Sequence, residues 1–145
     1  AVNGWENYAT LPGASGGVRG LLSLDTELLT VAGRQLYSVS AAQEATLIGG
    51  IASDGLVSMA RNRQSPNAQA VIVSDGIWYV YQDGAVTIGS DPDLLAPIYV
   101  TEKDGYFVFL AANGTFTITG IDDITVDGLD FANAQSNADG GNARH

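Results

Sequence analysis

Carboxylates are the only reactive side chains that this sequence supplies in number. Its 145 residues carry 16 Asp and Glu against six Lys and Arg, no Cys, and one His at position 145. Without Cys there is no thiol nucleophile, thiolate metal site or disulfide. With His145 at the extreme C-terminus, a Ser/His/Asp triad or a multi-His zinc site has no material. Oxygen chemistry remains. Asp122, Asp123, Asp127 and Asp130 fall within nine residues, and an all-oxygen set of this kind can hold calcium, although the spacing fits no EF-hand loop. A solvated loop is the competing reading. Asp91-Pro92-Asp93 is a second carboxylate pair. Paired carboxylates run glycoside hydrolysis when one has a raised pKa and the other stands across the sugar. The intervening proline fixes one φ and removes a donor, which points more simply to a sharp connector with an Asx turn.

Aromatic residues offer a different kind of site. Trp78, Tyr79 and Tyr81 form one cluster, and Tyr106, Phe107 and Phe109 a second. On a strand, successive side chains face opposite ways, so Trp78 and Val80 should share one face and Tyr79 and Tyr81 the other. Core packing accounts for both clusters. The alternative is an interaction surface of Trp78, Tyr79 and Tyr81, on which Tyr79 and Tyr81 stack a glycan beside nearby carboxylates. Asn113-Gly114-Thr115 fits a glycosylation acceptor, but turn chemistry is the simpler account.

The formal charge of −10 is uneven. Residues 1–70 hold five acids and four bases, whereas residues 71–145 hold eleven acids and two bases. Nucleic-acid affinity rests on Lys and Arg neutralising phosphates, so free DNA or RNA is a poor ligand here. A solvated acidic surface, or a basic protein partner, fits better. No stretch approaches the ~18 consecutive apolar residues that span a bilayer. Ala1 opens a polar segment without the basic start and apolar run of a signal peptide. These features predict a soluble chain with no membrane partner, and nothing in them calls for a cofactor.

The elements that position these residues repeat. Leu28 to Val39, Val71 to Tyr81 and Tyr106 to Ile118 are each a β-rich run, a tight Gly turn and a second β-rich run. Asp75-Gly76 and Asn113-Gly114 suit two-residue hairpin turns with positive φ at the centre. Gly33, Gly76 and Gly114 are spaced by 43 and 38 residues, near the ~40-residue period of a β-propeller blade of four antiparallel strands. Outer strands are expected at Gly20 to Leu24 and Ala45 to Ile48, at Leu56 to Ala60 and Ala85 to Ile88, and at Ile98 to Thr101 and Ile124 to Asp127. Ala41 to Thr46 is the only short run of helix-forming composition. The predicted fold is therefore all-β, an incomplete propeller of about three blade units of ~40 residues; a plain meander or sandwich is the alternative. Residues 18–132 form the repeat domain, 1–17 a flexible approach, and 133–145 a tail expected to be disordered. Three units leave open sheet edges that invite self-association, since propellers close with about four to eight blades.

Arg19-Gly20, Leu36-Tyr37-Ser38-Val39, Val57-Ser58-Met59-Ala60, Val71-Ile72-Val73, Asp91-Pro92-Asp93, Asp104-Gly105-Tyr106-Phe107-Val108-Phe109 and Leu129-Asp130-Phe131-Ala132 occur in an order and spacing that carries a resemblance. The chain resembles the packaged DNA stabilisation protein, or tail hub, of short-tailed bacteriophages, in its N-terminal part. The resemblance implies a virion structural protein, not an enzyme, that helps to seal packaged DNA beneath the portal adaptor and to attach needle and tailspike proteins. It implies location in the virion, or in the host cytoplasm before assembly, and supplies no catalytic residues. Members of that family continue beyond the motif at Phe131-Ala132, so the chain reads as a fragment or a truncated relic. The runner-up reading is a standalone glycan- or protein-binding β module, and a carboxylate glycosidase is a third.

Overall fold

The computed structural model describes residue 4, residues 6–94 and 96–126, and the backbone of residues 134–135. Three four-stranded antiparallel sheets follow one another along the chain. Blade 1 is β1 (Val18–Ser23), β2 (Glu27–Ala32), β3 (Gln35–Ser40) and β4 (Ala45–Gly50). Blade 2 is β5 (Val57–Arg61), β6 (Ala70–Ser74), β7 (Ile77–Gln82) and β8 (Ala85–Ile88). Blade 3 is β9 (Pro97–Lys103), β10 (Tyr106–Ala111), β11 (Thr115–Ile121) and β12 (Ala134–Gln135). Each blade is a sequential meander, and the three hairpins found from the glycines are the central hairpins of the three blades. The sheets stack face to face into an open arc, an incomplete all-β propeller, with β1, β5 and β9 innermost.

Two apolar layers hold the arc together. Between blades 1 and 2 lie Leu29, Val31, Leu36 and Ile51 on one side and Ala70, Ile72, Tyr79 and Tyr81 on the other. Between blades 2 and 3 lie Val71, Val73, Trp78 and Val80 against Val100, Phe107 and Phe109. Blade 2 is covered on both faces, which is why every residue of β6 is buried and why its sequence Ala-Val-Ile-Val reads as an unbroken apolar run.

Turn chemistry fixes the hairpins. Asp75-Gly76, Asp83-Gly84 and Asp104-Gly105 have positive φ at both positions, the type I′ geometry whose twist matches that of the flanking strands. Asn113-Gly114 departs from the expected two-residue turn, because only Gly114 has positive φ. Gly114 N–H donates to Ala111 O at 3.0 Å, so the loop is three residues long and ends on a glycine. Asn113 Oδ1 accepts from Thr115 N at 3.0 Å and from Thr115 Oγ1 at 2.7 Å, making a local side-chain turn.

Other expectations are corrected. Ile124 to Asp127 is not the outer strand of blade 3: residues 124–126 are not in a strand, and Asp127 lies outside the described residues. Asp123 Oδ1 takes the amides of Ile124 and Thr125, and Asp91 Oδ2 takes that of Val126, so the donors a ladder needs are engaged. Ile124 and Val126 pack instead into the core between blades 2 and 3. The outer position belongs to Ala134–Gln135, within the stretch expected to be disordered, which pair with Phe116 and Thr115. Ala41 to Thr46 forms no helix but a turn that enters β4, with Gln43 at φ 66°.

Residues 6–17, read from the sequence as a flexible approach, contain no strand and run along the outer face of blade 1. Tyr37 Oη donates to Pro12 O at 3.0 Å, and Gly33 N–H donates to Gly17 O at 3.1 Å. A Cβ added to Gly16 would stand 2.9 Å from Gly33 Cα, so only glycine admits this approach.

Candidate functional site

Asp122 and Asp123 are engaged within the fold. Asp122 Oδ1 accepts from Arg63 N at 3.1 Å, and Asp123 caps the two residues that follow it. Asp127 and Asp130 lie outside the described residues. Among the described residues, no group of three or more His, Cys, Asp or Glu is placed to hold a metal ion. Asp91 makes the Asx turn expected of it, accepting from Asp93 N at 2.9 Å, and its second oxygen holds Val126 N at 3.1 Å. The connector thus ties the end of blade 2 to the segment leaving blade 3.

Trp78, Tyr79 and Tyr81 do not form an interaction surface. They are 6%, 3% and 2% exposed, because blade 2 is sandwiched and both of its faces are interior. The predicted alternation holds: Trp78 and Val80 face blade 3, and Tyr79 and Tyr81 face blade 1. Trp78 meets Phe109 edge-on, with ring centroids 5.7 Å apart. Tyr79 Oη accepts from Ala52 N at 2.8 Å, bridging to the crossover from blade 1.

A cleft of about 400 Å³ opens between blades 1 and 2, bordered by Asp25, Glu27, Ser65, Asn67, Tyr81 and Asp83. Its chemistry is inward-looking. Tyr81 Oη donates to Glu27 Oε1 at 2.6 Å, and Ser38 Oγ donates to the other oxygen of the same carboxylate. Burial, reinforced by that carboxylate, pushes the Tyr81 hydroxyl up to about 12. Asp25 pairs with Arg61 at 2.7 Å. The cluster welds the two blades together.

Among the described residues, one sheet face is covered by no other blade. On the side of blade 3 away from blade 2, register places Tyr99, Leu110 and Phe116 in one row and Thr101, Val108 and Ile118 in the next, with Tyr106 on the same face of β10. Val108, Leu110, Phe116 and Ile118 are only half-buried, and Tyr99 is exposed. Sequence reasoning missed this face, although a signal was present: β10 is apolar on both sides, as β6 is, and β11 alternates Phe116 and Ile118 with Thr115, Thr117 and Thr119. Among the described residues, no helix is long and apolar enough to cross a membrane.

The fold is shared with longer proteins of solved structure. PorZ of Porphyromonas gingivalis, a surface component of the type-IX secretion system, matches with TM-score 0.52 and 13% identity over 77% of this chain and 16% of its own. The Neurospora crassa Pan2 WD40 domain matches with TM-score 0.52 and 12% identity over 82% and 36%, respectively. The computationally designed Ika8 protein matches with TM-score 0.51 and 16% identity over 75% and 35%. The chain thus spans between about a sixth and just over a third of these structures. No curated protein matches the sequence. The family model described as Bacteriophage P22 Gp10, beta-propeller, matches residues 1–144. A Gly-punctuated blade repeat, three stacked meanders and a match over nearly the whole length make this chain a member of that phage stabilisation family.

Proposed function

We propose that this chain is a non-enzymatic structural component of the phage particle that helps to seal packaged DNA and to seat tail components such as the portal adaptor, needle and tailspike. The observation that carries the reading is the family match over residues 1–144. The geometry supports it. Of the carboxylates that suggested chemistry, Asp91 and Asp123 cap turns and Asp122 accepts from the backbone of Arg63, whereas the apolar outer face of blade 3 suits protein docking. The chain also associates with itself through its open sheet edges.

The charge of −10 sets how such a seal works. Like charge opposes approach within a Debye length, so the protein acts as a plug or gasket and not by direct phosphate contact. Its place is the virion, and the host cytoplasm before assembly. Proteomics of purified particles from the host that carries the gene tests the reading. The chain is expected at fixed copy number per particle and to remain after a high-salt wash; its absence from particles, with the protein abundant in the lysate, would overturn the proposal.

A further inference from the structure

We propose that β8, the outermost strand of blade 2, is a docking edge: an extended segment of another protein of the particle, apolar on alternate residues and carrying Lys or Arg where it passes Asp83, adds to it as a fifth strand. The inference rests on the virion reading above and names a surface and a kind of partner for it.

The backbone of β8 is open along one side. Among the described residues it ends its sheet and pairs with β7 alone. Asp83-Gly84 is a two-residue type I′ turn, so Gln82 and Ala85 form a hydrogen-bonded pair, as do Val80 and Thr87. The same phase holds past the end of the strand, where Gly89 N–H donates to Trp78 O at 2.8 Å. Val86 and Ile88, the residues between, therefore turn both N–H and C=O away from β7, ready for the ladder of an incoming strand. Such edges are ordinarily blunted by a bulge, a proline or a charge. β4, the outer strand of blade 1, has a register shift opposite Leu36 and Tyr37 and ends on two glycines. β8 reads Ala-Val-Thr-Ile and follows β7 without a shift.

Side chains give this edge its preference. Val86 packs towards blade 1, and Ile88, two residues on, shares that face yet is 70% exposed. Beside it an apolar groove of about 440 Å³ opens between the outer strands, bordered by Ile48, Ile51, Tyr79, Val86 and Ile88. β4 and β8 close on each other at Gly49, where a Cβ would stand 2.6 Å from Val86 Cγ1, and the groove opens beyond that point. On an added strand the residue opposite Ile88 points to the same face, so an apolar side chain there covers Ile88 and enters the groove.

Charge selects the occupant. Glu44 and Asp83 stand exposed at the turns that lead into β4 and β8. Among the described residues the bases are engaged elsewhere: Arg34 with Asp54, Arg61 with Asp25, Arg63 with Glu102 and Asp104, Lys103 with Asp104, and Arg19 on three carbonyls. A second copy would bring carboxylates to carboxylates, whereas a strand flanked by Lys or Arg is complementary. Self-association therefore belongs to the other sheet edges.

The probe is a short synthetic peptide of alternating Val and Thr with a Lys at each end. Titrated into the full chain, it should slow hydrogen exchange at the amides of Val86 and Ile88 and leave those of Thr87 and Gly89, which already face β7, unchanged. Ile88→Pro removes one outward N–H and no rung of the ladder with β7, and Ile88→Lys keeps the backbone but sets a charge at the groove. Each should weaken peptide binding by about tenfold or more, read by fluorescence anisotropy. Leu47→Lys, opposite Tyr37 on the far face of blade 1, should leave the affinity unchanged. The same peptide with Glu in place of Lys should bind more weakly. A peptide that does not bind, that binds the Ile88→Lys variant as tightly, or that protects amides elsewhere overturns the proposal. So does protection of Val86 and Ile88 on concentrating the chain alone, which would give the edge to a second copy. Particle proteomics reports separately on the virion role, so failure of the docking edge and failure of that role are distinguishable.

Discussion

Gly89 lies flat against the Trp78 ring. A Cβ there would stand 2.1 Å from Cδ2, while Gly89 N–H donates to Trp78 O at 2.8 Å. Gly89→Ala must therefore push the indole off Phe109, an overpacking that costs about 1–3 kcal/mol. A urea titration should show the lowered midpoint. Tyr81 gives a pH signature. Its hydroxyl titrates near 12 in the folded chain and near ~10 when unfolded. Below about pH 10 the hydroxyl is protonated in both states, and its full contribution is present. Between about pH 10 and 12 only the unfolded chain ionises at this site, so stability falls as pH rises through that window. Tyr81→Phe should flatten that part of the decline, read as urea midpoints compared at about pH 9 and pH 11.

At the scale of elements, Arg19 shows how a turn is locked to a crossover. Its Nε donates to Gly33 O at 2.8 Å and Nη2 to Ser53 O at 2.6 Å, with Nη1 on Gly55 O. Three carbonyls from two loops are held by one planar fork. Arg19→Ala should cost about 2 kcal/mol in chemical denaturation, and Arg19→Lys should recover little, because an ammonium cannot span the three acceptors. The neighbouring Gly20 is small because Met59 and Val57 close on it. Much of this scale was legible in advance. Val, Ile and aromatic runs around Gly33, Gly76 and Gly114 marked the central hairpins, and period-two alternation sorted Trp78 and Val80 from Tyr79 and Tyr81. What covers each face depends on neighbours distant in sequence, which is why Tyr79 and Tyr81 also read as a surface. The strand expected at Ile124 to Asp127 failed for a related reason: β-favourable residues cannot pair when Asp91 and Asp123 already hold their amides.

At the scale of the whole molecule, the arc is asymmetric. Residues 6–17 lie over one end, and the half-buried apolar face of blade 3 stands at the other. Tyr37→Phe removes the hydroxyl that holds Pro12 O and should speed hydrogen exchange of the amides around residues 12–17, with little change at β6 and β7. The acidic surface carries its own expectation: duplex DNA should not be retained on the protein at physiological salt, as read by filter binding. The central claim concerns the particle. Genome retention by filled heads, assembled with and without this chain, tests it most directly. The account predicts that heads lacking the chain package DNA and then lose it to nuclease. Heads that keep a protected genome in its absence would contradict it.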